Sequence, residues 1–266
     1  MFRLHRINPR ENAREPLPDV LGLSKHGIDV RRGQVTLIAA QPNDGKSLLT
    51  LWMVLQWATL GLRTLYFSAD TDEETTLRRA SATVTGKEQS YIERLMREGW
   101  DVIATALADL QGRVSFDFET DPSYQHIYEE LVAYYECWGS YPEVVVVDNL
   151  MDCVGDNDDE YGSMRDTTKA LKRFARLTGA AFIVLHHCNE TDKRENHPPA
   201  RREITGKVAQ KPEMILTVML DGNQMMIACV KNRSGPKDPK GLTYHRLTVD
   251  FERVQFYGPN YTPIGA

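Results

Sequence analysis

Gln34-Val-Thr-Leu-Ile-Ala-Ala-Gln-Pro-Asn-Asp-Gly-Lys-Ser-Leu-Leu-Thr50 is the stretch on which the reading of this chain turns. Val35 to Ala40 is an apolar run interrupted only by Thr36, the pattern of a buried strand. A short polar loop follows, then Gly45-Lys46-Ser47, then apolar residues at helical spacing (Leu48, Leu49, Trp52, Met53, Leu55). Strand, loop and helix in that order bring backbone N–H groups and a helix N-terminus to a triphosphate. The expected cradle is Ala40, Gln41, Pro42, Asn43, Asp44, Gly45, Lys46, Ser47 and Leu48. In it, Lys46 reaches the β- and γ-phosphates, and the Ser47 hydroxyl ligates Mg²⁺. The first glycine of the G-x-x-x-x-G-K-[ST] pattern is absent, with Ala40 in its place.

Working outward, three more apolar runs end in polar residues. Thr64–Ser68 is followed by Asp70, and Asp72, Glu73 and Glu74 then open a helix, where acidic residues suit the dipole. Pro142-Glu-Val-Val-Val-Val-Asp148 is a buried parallel strand ending in a Walker-B aspartate, placed to hold Mg²⁺ through water. Ala181–Leu185 ends in His186-His187. Neighbours on a strand point to opposite faces, so the two histidines suit no single metal ion, and one of them can face a nucleotide. Helical patterns separate these strands: 46–60, 72–110 broken at Gly86 and Gly99, 124–138, and 163–178 with Met164, Leu171, Phe174, Ala175 and Leu177 toward one side. Val114–Phe118 alternates as a strand. A hairpin around Asp221-Gly222-Asn223 and a strand pair within 242–257 complete the chain. The expected fold is α/β: a mostly parallel central sheet with helices on both faces and antiparallel strands at the C-terminus. Asp70, Asp148 and His187 then gather with Lys46 at the carboxyl edge of the sheet.

Composition sets bounds on function. The 266 residues are 41% hydrophobic and 26% charged, with a net charge of −5, which excludes an all-basic nucleic-acid coat but not a basic loop. Cys137, Cys153, Cys188 and Cys229 are widely spaced and read as reduced thiols. The N-terminus carries no leader pattern and no run spans a membrane, so the expected location is cytoplasmic. Residues 1–20, broken by Pro9, Pro16 and Pro18, read as an N-terminal arm, and 21–266 as one domain. Met151–Gly162 reads as a solvated acidic loop without the calcium-loop pattern. Asn189–Lys211 reads as a long aperiodic loop carrying Lys193, Arg194, Arg201, Arg202 and Lys207.

Taken together these motifs resemble the RecA-like motor domain of DnaB-type hexameric replicative helicases, over about residues 21–257. Ala40-Gln41-Pro42 matches the way the family's phosphate loop opens, and Ser68-Ala69-Asp70 its Ser-Leu-Glu motif. Leu185-His186-His187-Cys188-Asn189 matches its γ-phosphate sensor, and Lys231-Asn232-Arg233-Ser234-Gly235-Pro236 its Lys-x-Arg-x-Gly-Pro segment. The His-His pair is similar to that of small RepA-type helicases, which suggests a phage or plasmid type. The resemblance implies a RecA-like P-loop NTPase that uses ATP and Mg²⁺, assembled as a homo-oligomer, a hexameric ring, with ATP between neighbours. It assigns Asp70 to orienting water, His187 to sensing the γ-phosphate, and Lys231 and Arg233 to acting on the adjoining subunit's nucleotide. It places single-stranded DNA on Lys193, Arg194, Arg201, Arg202 and Lys207, names a primase or loader as a partner, and implies an ATP-dependent DNA helicase or translocase of replication. There are two departures: the chain shows no N-terminal helical domain, and Asp70 is one methylene shorter than the expected glutamate. The alternatives are a RecA-like recombinase, or an ATP-switched replication loader or interaction protein.

Overall fold

A computed structural model describes residues 14–154, 160–189 and 196–258. The elements run β1 (Val35–Ala40), α1 (Lys46–Thr59), β2 (Thr64–Ser68), α2 (Glu73–Thr85), α3 (Gln89–Glu98), α4 (Trp100–Leu107), β3 (Val114–Asp117) and α5 (Tyr124–Trp138). They continue with β4 (Val144–Asp148), α6 (Glu160–Thr178), β5 (Ala181–His187), β6 (Met214–Asp221), β7 (Gln224–Asn232), β8 (Tyr244–Asp250) and β9 (Gln255–Tyr257). One sheet takes all nine strands in the order β3-β2-β4-β5-β1-β6-β7-β8-β9. The pairings from β3 across to β6 are parallel, and those from β6 to β9 are antiparallel. The expected class is observed. The C-terminal hairpin joins the parallel sheet through β6, which lies parallel to β1.

The central strands are buried on both faces, which is why they read as continuous apolar runs. The valines of β4 divide by the period of two: Val144 and Val146 pack with α1 residues Trp52, Met53 and Trp57. Val145 and Val147 face the other layer, with Ile127 and Leu131 of α5 and Leu171 of α6. The sheet is thus covered by α1 on one side and by α5 and α6 on the other. Among the described residues, no helix is long and apolar enough to cross a membrane.

Three expectations change. Residues 14–20, part of the expected arm, are packed: Leu17 and Val20 are buried, and the Trp57 indole N–H donates to the Pro18 carbonyl at 2.8 Å. Pro16 and Pro18 prevent a regular element without preventing burial; residues 1–13 lie outside the described residues. Leu177, placed on the apolar side of α6, is 66% exposed. The region 189–211 is also less loop-like than expected. It holds 3-10 turns at Arg201–Glu203 and Thr205–Gln210, and Ala200, Ile204 and Val208 are buried. Of the acidic stretch 151–162, residues 155–159 lie outside the described residues, and α6 already begins at Glu160.

Candidate nucleotide-binding site

The loop after β1 turns sharply because two residues take left-handed backbone angles, Asn43 at φ 65° and Gly45 at φ 73°. Gly45 caps α1, and a Cβ there would come within 3.0 Å of the Met225 methyl in addition to the strained φ. Asp44 is buried and accepts from the Leu220 N–H at 3.2 Å, which ties the loop to the end of β6. Lys46 is only 6% exposed, and its Nζ donates to His187 Nε2 at 3.3 Å. Lysine has only donors, so His187 is here the tautomer with its proton on Nδ1.

Asp148 lies at the centre of the edge. Ser47 Oγ donates to Asp148 Oδ1 at 3.2 Å, and the Tyr66 hydroxyl donates to Oδ2 at 3.0 Å. Burial pushes the Asp148 carboxyl up to about 6, against the lowering effects of Ser47, Lys46 and Tyr66. A folded value above the ordinary carboxylate value near 4 means that the folded chain holds this proton more tightly. The associated stability is fully present below about pH 4 and is lost as pH rises through about 6. Asp148→Asn should therefore stabilise the ligand-free protein at pH 7, by up to about 2–3 kcal/mol. That gain should fade toward pH 4, while ATP turnover is lost at both pH values. Urea denaturation of the two proteins at pH 4 and pH 7 checks it; an equal gain at the two pH values would mean that desolvation of the carboxylate is not the cause.

The two adjacent histidines do face opposite ways. His186 is fully buried, donates from Nε2 to the Thr205 carbonyl at 2.9 Å, and is pushed down to about 4 by burial, so it stays neutral. His187 points to the loop side, also within 3.5 Å of Asn149 Nδ2. Its pKa is lowered by burial and then by Lys46, against the charge of Asp70. Asp70 is exposed, just past β2, and its charge is felt at His187, Asp148 and Asp152.

Three residues near Asp148 escaped the sequence reading. Tyr66 is a polar-tipped residue inside an apolar strand, and Asn149 directly follows the Walker-B aspartate. Arg79 lines a small cavity with Ser47, Tyr66, Ser68, Thr71, Thr76 and Asp148. Burial lowers its pKa first, then Arg78. Arg79 stands three residues after Thr76 and one before Ala80, both buried, on the inner side of α2, a burial that only the fold reveals.

Lys231 and Arg233 lie elsewhere. β7 runs back across the sheet, so its end lies at the amino edge: the Arg233 N–H donates to Glu213 O at 3.1 Å, and Glu213 Oε2 accepts from Val35 N at 3.3 Å. The length of β1, roughly 20 Å for six residues, separates Arg233 from the phosphate loop. Lys231 is 8% exposed, with Nζ donating to the carbonyls of Ala209 and Gln210 at 2.8 and 2.9 Å. Burial, then Arg233, Arg201 and Lys172, push its pKa down to about 8. Arg233 is exposed, and its guanidinium donates to Gln210 O at 3.3 Å. Of the residues expected to meet DNA, Lys193 and Arg194 lie outside the described residues. Arg201 donates to Ala209 O at 3.5 Å, Arg202 is exposed, and the Lys207 backbone lies in the Thr205–Gln210 turn.

Comparison with known proteins agrees with this architecture. A family model described as an AAA domain matches residues 15–193. The chain is 32% identical to the Gene 65 protein of Mycobacterium phage L5 over 260 residues, covering 94% of this chain and 92% of that one. It is 30% identical to the Gene 65 protein of Mycobacterium phage D29 over 231 residues, covering 83% and 97%. Among solved structures, one described as an ATPase domain superposes with a TM-score of 0.73 at 17% identity, covering 85% of each chain. A DnaB-like replicative helicase, solved in a study of its interactions with primase, superposes with a TM-score of 0.75 at 16% identity. That match covers 86% of this chain and 58% of the helicase. At such identities the likeness is one of fold, the RecA-like ATPase fold.

Proposed function

The chain belongs to the AAA domain family, and from that premise we propose that it is an ATP-driven, DnaB-like translocase on single-stranded DNA, acting in replication in the cytoplasm. One observation carries the proposal. Lys46, Ser47, Asp148 and His187 converge at the carboxyl edge, while Arg233 stands exposed at the far edge, out of reach of its own chain's phosphate loop. A site divided between opposite edges becomes whole in a head-to-tail assembly, which closes into a ring if the rotation closes.

Within that assembly Lys46 binds the β- and γ-phosphates, a role suited to a buried ammonium whose hydrogen-bond partner is a neutral imidazole. The adjacent hydroxyl of Ser47 and carboxylate of Asp148 are an all-oxygen donor set, which suits Mg²⁺; the ion would offset charge on the phosphate oxygens. Tyr66 holds the second Asp148 oxygen and fixes the carboxylate plane. Asp70 orients the attacking water from the solvent side; its shorter side chain makes the position of the following turn more critical. His187 reads the γ-phosphate through Lys46. The route onward is short: Gln41 Nε2 donates to Asn189 O at 3.3 Å, and Asn189 Oδ1 accepts from Thr205 Oγ1 at 2.9 Å. That links the phosphate loop to the basic segment bearing Lys193, Arg194, Arg201, Arg202 and Lys207, the proposed DNA contact. Arg233 completes the neighbour's site, and Lys231 could join it only by releasing two carbonyls of its own chain.

ATPase assays with and without single-stranded DNA, paired with electron microscopy of the ATP-bound protein, test the proposal. Stimulated turnover with hexameric rings and fork unwinding is expected. DNA-coated filaments that pair strands would instead make it a recombinase, and an ATP-dependent shape change without DNA stimulation would make it a loader.

A further inference from the structure

The last turns of α6 carry Lys169, Lys172, Arg173 and Arg176, a spacing that sets all four on one stripe of a 3.6-residue helix. With Lys211 and Arg233 they line a concavity of about 570 Å³ at the amino edge. Among the described residues, two of the six cations have acidic partners, Lys169 with Asp166 and Lys172 with Glu213. Arg173 and Arg176 are exposed and make no ion pair among the described residues. The crowding is felt nearby, since Arg233 and Lys172 are among the charges that depress Lys231. Cations gathered this closely repel one another in the isolated chain, and an anionic surface brought against them would remove that cost.

The opposite edge carries the complementary sign. Asp70, Asp72, Glu73 and Glu74 are exposed where β2 passes into α2. Asp72 is occupied in capping the helix, accepting from the Thr75 N–H at 2.8 Å, and Asp70 is assigned to water. Glu73 and Glu74 have no such task. They stand within one helical turn, about 3–5 Å along the axis, before Thr76, which shares its cavity with Ser47 and Asp148. The α6 stripe shares its concavity with Arg233, so an Arg233 entering a neighbour's site would carry the stripe toward the carboxyl edge where that neighbour's α2 begins.

We propose that the basic stripe of α6 in one protomer docks on Glu73 and Glu74 of the next, forming an ionic rim to the head-to-tail interface. The inference rests on the head-to-tail reading above and adds the surface that selects it. A chain with a net charge of −5 does not attract its own copies by total charge. Separating the signs onto opposite edges favours head-to-tail encounter and opposes head-to-head encounter. Because the rim is exposed, assembly should weaken as salt rises above about 0.1 M, where the screening length falls below about 10 Å.

A charge exchange tests the inference, with ATP-dependent assembly followed by mass photometry. Arg173→Glu with Arg176→Glu should raise the protein concentration needed for assembly at least about tenfold, and Glu73→Lys with Glu74→Lys should do the same. The chain carrying all four changes should assemble like the parent, because every interface then holds the pairs reversed. Lysines in a helix's first turn oppose its dipole, so Glu73→Gln with Glu74→Gln serves as a milder second variant, with melting curves as the fold control. Parent-like assembly of the α6 variant, or no recovery in the fourfold variant, overturns the proposal. An α6 variant that assembles normally but loses single-stranded DNA overturns it in favour of a nucleic-acid face. A parent chain that never assembles with ATP overturns the head-to-tail reading itself.

Discussion

Lys46→Ala should reduce ATP turnover at least about 10³-fold while leaving the protein folded. The ammonium is 6% exposed, so its charge would act on a bound phosphate through poorly screening surroundings. Removing one such group from a water-poor site typically costs about 10²–10³ in rate, and lysine here also supplies ground-state affinity, so kcat/KM falls further than kcat. The fold does not depend on the side chain. Alanine is the best helix former at the start of α1, and the Lys46 carbonyl that accepts from Thr50 Oγ1 at 2.9 Å belongs to the backbone. The hydrogen-bond partner lost is the uncharged His187, and the buried Asp148 carboxyl, though it loses the nearby charge of Lys46, keeps the hydroxyls of Ser47 and Tyr66. A second readout is independent of activity. Lys46 is one of the causes that lower the His187 pKa, after burial, so the variant's His187 should titrate at higher pH than in the parent. Calorimetric ATP binding, steady-state turnover and an imidazole NMR titration follow the three consequences. Parent-like turnover would remove Lys46 from the nucleotide site, and an unmoved His187 would mean that the 3.3 Å contact does not persist in solution.

How much of this was legible in the chain follows from which interactions set each residue's place. Lys46, Ser47, Asp148 and His187 could be placed together because each ends or follows a strand, and parallel strands in one sheet present their ends along one edge. The hairpin at Asp221-Gly222-Asn223 was legible from its turn residues, and Gly222 does take φ 57°. Tyr66 and Arg79 were not, because Tyr66 meets Asp148 across 82 residues and Arg79 lines the same small cavity from a different layer. Lys231 was read from a motif as a surface contact. Its burial against Ala209 and Gln210 depends on how the 205–210 turn lies beside β7, which no local pattern encodes. Leu17 and Val20 were missed because proline spacing reports the absence of regular structure, and burial is a separate property. The location of Arg233 at the amino edge follows from strand count: β6 goes up with β1, β7 comes back, and the motif falls where β7 ends. A single extra strand would have put it on the other edge.

That location gives the sharpest test of action between subunits. Arg233→Ala should bind ATP as the parent does and hydrolyse it about 10³–10⁵-fold more slowly, the range of arginine groups supplied to a phosphoryl-transfer site. The defect alone is ambiguous, since a cis residue would show it too. Mixing resolves the ambiguity. A Lys46→Ala protomer has a dead nucleotide site but an intact Arg233, and an Arg233→Ala protomer has the reverse. In a random equal mixture about one interface in four joins the intact site of one to the intact arginine of the other, so turnover should recover to about a quarter of the parent's. Two inactive proteins that regain activity on mixing require a shared site. The geometry forbids a cis explanation for that gain: an arginine side chain reaches about 7 Å, and the strand length between Arg233 and Lys46 is roughly 20 Å. Lys231→Ala separates the two members of the motif. Its ammonium is held by Ala209 and Gln210, so its loss should destabilise the 205–210 turn and slow hydrolysis less than loss of Arg233 does. Should mixing restore nothing although the mixed protomers co-assemble, Arg233 would have no part in a shared site, and the head-to-tail mechanism would fall with it.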